Sequence, residues 1–341
     1  MTTSAAAAHQ TVRILSVPSA DLRDALADAS PAVDVVLWDF ATPPAGLDLA
    51  TLDAAVLPYT GRAHLDGALE AAPNLRLVQT QSTGYDGVAD LVGPDVAIAT
   101  AAGVHAAATA ELAVGLALAS LRGLDDAVRQ QAEGRWHSAR YPGLADRRVL
   151  LVGVGGIGEE IRRRLVTFEA EVTRVGSSAR DDEQGHVHGS DELVALAPHH
   201  DVVVVITPLT DATRGLIGAE VLAALPDGAL VVNVARGAVV DTDALTREVR
   251  AGRLRAALDV VDPEPLPADH PLWSAPGVII TPHVGGNTEA FPPRILALLK
   301  RQVERLGEDR EPENLVRRGP WGQAVGPDHR GVRSSRPRTS R

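Results

Sequence analysis

The chain has 341 residues, room for two domains of ordinary size, and its 45% apolar content supplies a core to each, which excludes a structureless or fibrous chain. A formal net charge of −11 argues against a general nucleic-acid-binding surface, and the lack of cysteine removes disulfides, zinc thiolate sites and cysteine nucleophiles together. No stretch approaches the roughly 18 consecutive apolar residues that span a bilayer, and residues 1–10 carry no basic export-signal region, so a cytoplasmic protein with no membrane or nucleic-acid partner is expected.

Residues 1–10 are expected to be a flexible N-terminus. Short apolar runs at 12–18, 32–38, 53–58, 75–79 and 96–101 then read as strands. Helix-permitting Ala/Leu/Asp segments lie between several of them, a rhythm that points to a parallel α/β domain. Ser82, Thr83 and Gly84 follow the fourth strand. Loops leaving the carboxyl ends of strands hold ligands in doubly wound sheets, although a plain tight turn explains the same three residues. A helix at 107–121, apolar at Ala110, Leu112, Ala113, Leu116 and Leu118, is expected to be buried between domains. A more amphipathic helix at 124–133 and an irregular connection at 136–146 come next.

From Arg148 a second βα series begins. Strands are expected at 149–152, 171–175, 202–206, 230–233, 256–260 and 278–281, with helices at 158–167, 191–197, 219–225 and 242–251. Six strands separated by helices or crossovers fit one open dinucleotide-binding sheet. A last helix covers 295–306. Beyond it the composition turns to Arg, Gly, Pro and Ser, with seven arginines between Arg317 and Arg341 and little to bury, so residues 316–341 read as a disordered basic tail.

The motif with the most specific local chemistry is Gly153-Val154-Gly155-Gly156-Ile157-Gly158, because it leaves a strand and opens a helix. Gly153 permits a tight turn, Gly155 lets backbone approach a pyrophosphate, Gly158 lets helix and strand pack closely, and the amides around Gly156 and Ile157 receive the anion. About twenty residues further on, an NAD site offers an acidic residue to the ribose hydroxyls. This chain has Ser177 and Ser178 there, followed by Arg180. The absent carboxylate removes repulsion of a 2′-phosphate and Arg180 can pair with it, which favours NADP over NAD unless Asp181, Asp182 or Glu183 claims the arginine. His199 and His200 beside Asp201 do not complete a metal-ligand pattern, and no metal is expected.

The run Asn233-Val234-Ala235-Arg236-Gly237, then Asp241, Asp259-Val260, Glu264-Pro265 and Thr281-Pro282-His283-Val284-Gly285-Gly286 resembles the D-isomer-specific 2-hydroxyacid dehydrogenases. The likeness extends from about Val12 to Leu306. It implies two doubly wound Rossmann-like α/β domains with parallel sheets and an interdomain cleft: a discontinuous substrate-binding domain of residues 11–108 plus 290–315, and a dinucleotide-binding domain of residues 109–289. It also implies a homodimer. The family's arginine, acidic residue and histidine fall on Arg236, Glu264 and His283. Chemistry gives these types a sense of their own. Hydride transfer to a keto carbon builds negative charge on oxygen, a histidine supplies a proton near neutrality, an adjacent carboxylate favours its charged form, and an arginine fork grips a carboxylate. The resemblance further assigns Asp259 to the nicotinamide end, Ile206, Thr207 and Pro208 to the adenosine side, and Val234, Ala235, Gly285 and Thr109 to the cofactor's surroundings. Ser82, Thr83 and Gly84 fall at the substrate carboxylate, with Arg236 and His283, while His105 and Trp273 flank the site without a defined role. Thr207 stands where a histidine is common in the family, and Ser178 where an acidic residue is.

The function implied is hydride transfer between NAD(P)H and a small 2-keto or D-2-hydroxy acid, with glyoxylate or hydroxypyruvate reduction the favoured substrate reading. D-lactate, phosphoglycerate and larger keto acids stay open, and a cofactor-sensing interaction protein is the alternative of a different class.

Overall fold

The computed structural model describes residues 11–322 except 43, 45, 60–64 and 66, so the expectations for residues 1–10 and 323–341 fall outside the described residues. The chain forms two compact units, one of residues up to 105 together with the segment from 289, the other of residues 106–288.

The first unit begins with β1 (Ile14–Val17), α1 (Ala20–Leu26), β2 (Asp34–Leu37), β3 (Ala54–Val56), β4 (Leu77–Gln79), α2 (Val88–Leu91) and β5 (Ala97–Ala99). These strands are parallel, in the order β5-β4-β3-β1-β2. The side chains of β3, β4 and β5 are buried throughout. That is the pattern of strands covered on both faces, and it explains why they read as unbroken apolar runs.

The second unit runs through α3 (Ala106–Leu121), α4 (Leu124–Ala132), β6 (Arg148–Val152), α5 (Gly156–Thr167), β7 (Glu171–Val175), β8 (Arg180–Asp182), β9 (Gly185–His188), α6 (Leu193–Leu196), β10 (Val202–Val205), α7 (Ala219–Ala224), β11 (Leu230–Asn233), α8 (Thr242–Arg250), β12 (Arg255–Leu258) and β13 (Val278–Ile280). Its sheet has the order β13-β12-β11-β10-β6-β7-β9-β8. Strand order reverses between β6 and β10, which pair in parallel from Val202 against Val149 to Val205 against Val152. In open α/β sheets ligands bind at the carboxyl ends of strands flanking such a reversal, and the glycine motif leaves β6 there. Helix α3, apolar on every side, packs on α5, β11, β12 and β13, so it is a core helix of this unit. Among the described residues no single helix is long and apolar enough to cross a membrane.

The chain then returns to the first unit as α9 (Phe291–Gly307) and β14 (Leu315–Arg317). Helix α9 buries Ile295, Leu298, Leu299, Val303 and Leu306 in the first unit's core.

Several expectations are corrected. Composition puts the start of a disordered tail at residue 316, yet β14 pairs antiparallel with β5, and Arg317 Nε donates to the Val96 carbonyl at 2.7 Å. The open edge of β5 supplies backbone partners that a composition reading does not count. The sheets are therefore not purely parallel, since β14 and the β8–β9 hairpin each add an antiparallel pair. That hairpin was not foreseen: buried Arg174 on β7 bolts it down, giving Asp182 two bonds of 2.8 Å and the Gly185 carbonyl a third. The helix expected at 191–197 is a broken set of short turns around α6. The unit boundaries fall at 105/106 and 288/289, which leaves α3 whole in the second unit where the expected division after residue 108 would cut it.

Candidate active site

The glycine motif is built on close approach. Gly153 has φ +121°, and a β-carbon there would lie 2.7 Å from the Ile206 carbonyl carbon; one on Gly158 would lie 2.9 Å from that of Gly153. Side chains at either place would push strand β6, helix α5 and the end of β10 apart. Gly155 and Gly156 instead face open space. No side chain caps α5, so the first-turn amides, including those of Gly156 and Ile157, remain available to an anion. Next in the chain to Ile206, which packs on Gly153, Thr207 Oγ1 is buried with no hydrogen-bond partner among the described residues. An uncapped helix start, open glycine faces and a buried orphan hydroxyl fit a dinucleotide. Pro208, next in the chain, is tied through its carbonyl to Thr213 Oγ1 at 2.6 Å.

At the far end of β7, Ser177 and Ser178 lead into β8. Arg180 pairs in register with Val187, and its Nη1 sits 2.9 Å from where a Gly176 β-carbon would be, with Val154 of the glycine motif 3.3 Å from the same point. Nη1 donates to the Ser178 carbonyl at 3.2 Å. Two of the three carboxylates that compete for this arginine have other partners: Arg174 donates to Asp182, and Asp181 lies 2.8 Å from His186, although the Arg180 charge still acts on Asp182.

Arg236 lies in the turn after β11. Asn233 shapes that turn: its buried side chain accepts from the Ala235 amide at 3.1 Å and donates to the Arg236 carbonyl at 3.0 Å. Asn233 was read only as part of a motif. The sequence signal for its positioning of Val234, Ala235 and Arg236 is an amide residue closing an apolar strand. Gly237 follows, and a β-carbon there would lie 2.6 Å from the Asp262 nitrogen and closer still to the Val261 carbonyl. The loop from Val261 that carries Glu264 is thereby packed directly on the arginine's turn.

Glu264 Oε2 lies 2.8 Å from His283 Nδ1, and Oε1 accepts from the Val261 amide at 3.1 Å. Their side chains are 37% and 49% exposed, so the pair is reachable from solvent. The hydrogen bond to Glu264 raises the His283 pKa above its ordinary value; partial burial and the Arg236 charge oppose this without reversing it. Partial burial pushes the Glu264 carboxyl upward, but bonding to His283 and the Val261 amide, with the His283 and Arg236 charges, leaves it below the usual carboxylate range. With Nδ1 engaged, Nε2 is the ring nitrogen left for proton exchange.

His283 has φ +53°, an uncommon conformation for a residue with a side chain. Asp259 enforces it. The Asp259 carbonyl accepts from the His283 amide at 2.8 Å, and its carboxylate, on a residue 3% exposed, accepts from Thr281 Oγ1, the Val284 amide and the Gly285 amide at 2.6, 2.9 and 2.8 Å. A β-carbon on Gly285 would meet Asp259 Oδ2 at 3.0 Å and Thr109 Cγ2 at 3.4 Å, which sets Thr109 behind the same turn.

A model of the D-isomer specific 2-hydroxyacid dehydrogenase NAD-binding domain matches residues 114–285. The chain belongs to the D-isomer-specific 2-hydroxyacid dehydrogenase family. It is 32% identical to glyoxylate reductase of Thermofilum pendens over 259 residues, 73% of this chain and 76% of that one. It is 34% identical to the human glyoxylate reductase/hydroxypyruvate reductase over 231 residues, 64% and 70% of the two chains. The crystal structure of a D-isomer specific 2-hydroxyacid dehydrogenase from Xanthobacter autotrophicus Py2 in complex with NADPH and MES has a TM-score of 0.75 at 30% identity, covering 90% of this chain and 98% of that one. The dehydrogenase is thus an NAD(P)-dependent oxidoreductase of 2-hydroxy and 2-keto acids.

Ser82, Thr83 and Gly84 belong to the first unit. Ser82 Oγ donates to the Gly84 carbonyl at 2.6 Å and the Ser82 carbonyl accepts from the Ala101 amide at 3.0 Å, a loop folded against the chain after β5. His105 Nε2 lies 2.9 Å from the Gln81 carbonyl and its ring stacks with Phe291, which stacks with Tyr59. Trp273, in the second unit, is tied by its Nε1 to the Pro267 carbonyl at 2.9 Å.

Proposed function

We propose that the dehydrogenase is an NADPH-dependent reductase of glyoxylate or hydroxypyruvate, with His283 as the proton donor to the keto oxygen. The observation that carries this is the Glu264–His283 pair beside Arg236, with Nδ1 occupied and Nε2 left for the substrate. The nicotinamide supplies the hydride. In reduction His283 gives its Nε2 proton to the oxygen on which charge develops, and in oxidation it takes that proton from the hydroxyl. Glu264 orients the ring and favours its protonated form, and Arg236 holds the substrate carboxylate with its planar fork. Gly153 to Gly158 hold the pyrophosphate.

Arg180, which among the described residues forms no ion pair with Asp181 or Asp182, pairs with a 2′-phosphate that Ser178 does not repel. The NADPH-bound relative from Xanthobacter supports the cofactor reading, and the archaeal and human reductases support the substrate reading. A homodimer joined through α4 is also proposed, since Leu124 and Val128, one turn apart, and the 99% exposed Trp136 leave apolar surface on this unit.

The test is initial rates of NADPH and NADH oxidation with glyoxylate, hydroxypyruvate, pyruvate and larger 2-keto acids, for the wild type and His283→Ala. The expected result is NADPH-dependent turnover of the two small acids, lowered about 10²- to 10⁴-fold in the variant with cofactor binding retained. Unchanged reduction by His283→Ala would remove its proposed role, and preference for a larger acid or for NADH would overturn the corresponding assignment.

A further inference from the structure

Outside the dehydrogenase site the second unit brings together a set of donors for which hydride transfer has no use. His186 and His188 project from the same face of β9, opposite to buried Val187, and Glu192 reaches back to them from the turn that follows. One ring nitrogen of each histidine and one Glu192 oxygen all lie within 4.8 Å of one another. The two rings meet edge to face at 4.6 Å. Glu192 is already anchored, its Oε1 accepting from the Gly189 amide at 2.8 Å while Oε2 lies 2.8 Å from His188 Nδ1. His186 Nδ1 lies 2.8 Å from Asp181 Oδ1, its antiparallel partner on β8.

We propose that His186, His188 and Glu192 form a binding site for a borderline divalent transition-metal ion of the zinc class. Two imidazoles and a carboxylate suit that chemistry and suit magnesium or calcium poorly. Bonds of about 2.0–2.2 Å in a tetrahedral arrangement need ligand atoms about 3.3 Å apart, a spacing within reach of small side-chain rotations from the present one. Asp181 occupies the outer position usual for a metal-bound histidine: it holds Nδ1 of His186 and directs Nε2 toward the ion. Three protein ligands leave the fourth position to water. The ion crosses from β9 to the segment after it, so it cross-links the end of the β8–β9 hairpin. Arg180 lies on the other face of that hairpin, beside Val187, so the ion does not touch the dinucleotide.

The experiment is calorimetric titration of the full chain with Zn2+, and of the same chain with Co2+ followed by visible absorbance, alongside His186→Ala, His186→Ala/His188→Ala and Asp181→Asn. The expected result is one saturable site with Co2+ bands of a four-coordinate ion, affinity lowered about 10-fold or more in Asp181→Asn and further in His186→Ala, and loss of the site in the double variant. Hydrogen exchange of the amides from Arg180 to His188 should slow on adding Zn2+ in the wild type and stay unchanged in the double variant, whose melting temperature and NADPH affinity without metal should match the wild type. Absence of saturable binding in the wild type would overturn the proposal. So would full affinity in His186→Ala, because the ion would then reside on other histidines of the chain.

Discussion

Replacing Gly237 by alanine tests the construction of the site without touching a proton-transfer group. The added carbon would lie 2.6 Å from the Asp262 nitrogen and nearer to the Val261 carbonyl, whereas β-carbons essentially never come within 3.0 Å of such atoms. Either the Val261–Glu264 loop or the turn bearing Arg236 must retreat by about 1 Å, and a misplacement of that size costs about 100-fold in rate. Overpacking itself should cost about 1–3 kcal/mol of stability. The pyrophosphate loop on β6 and α5 makes none of these close contacts, so NADPH affinity should fall less than kcat/KM. The assay is steady-state kcat and KM with glyoxylate or hydroxypyruvate, together with thermal melting and cofactor titration. A folded variant that retains kcat/KM within a factor of three would refute the argument that packing of the Glu264 loop on the Arg236 turn sets the catalytic geometry. A fall in cofactor affinity as large as the fall in kcat/KM would refute the placing of the effect on the catalytic groups.

Three further outcomes are expected. Because reduction requires protonated His283, the rate should decline as pH rises through its raised pKa; Glu264→Gln removes the charge that raises it, so the declining limb of the pH–rate profile should move to lower pH, and an unmoved limb would separate Glu264 from the imidazole. Asp259→Ala leaves Thr281 Oγ1 and the Val284 and Gly285 amides without their acceptor, so it should cost roughly 3 kcal/mol in chemical denaturation and lower kcat through a displaced His283. Arg180→Ser should raise KM for NADPH about 10- to 100-fold, the worth of one charge-assisted bond, with KM for NADH unchanged; equal effects on both cofactors would contradict pairing with a 2′-phosphate.

Much of the architecture was legible because buried parallel strands must be apolar without interruption. Val202–Val205 and the run from Val149 to Val152 declare themselves for that reason, and the glycine motif is legible because only glycines permit its close approaches. Motif order likewise marked Arg236, Glu264 and His283 as a set. The β8–β9 hairpin and β14 were not legible, since the hairpin is mostly polar, β14 is only three residues long beside an Arg/Gly/Pro-rich stretch, and their order comes from distant partners: Arg174 for the hairpin, the open edge of β5 for the last strand. The same holds within the site. A sequence names His283 and Asp259, but the left-handed backbone of His283 and the Asp259 carboxylate that saturates its turn depend on groups 22 to 26 residues apart being brought within hydrogen-bonding range. Local sequence determined the buried parallel strands, the glycine motif and the chemistry that their loops carry. Tertiary packing decided which polar groups find each other, because hydrogen bonds and charge pairing are short-ranged and their partners are chosen only when the fold closes.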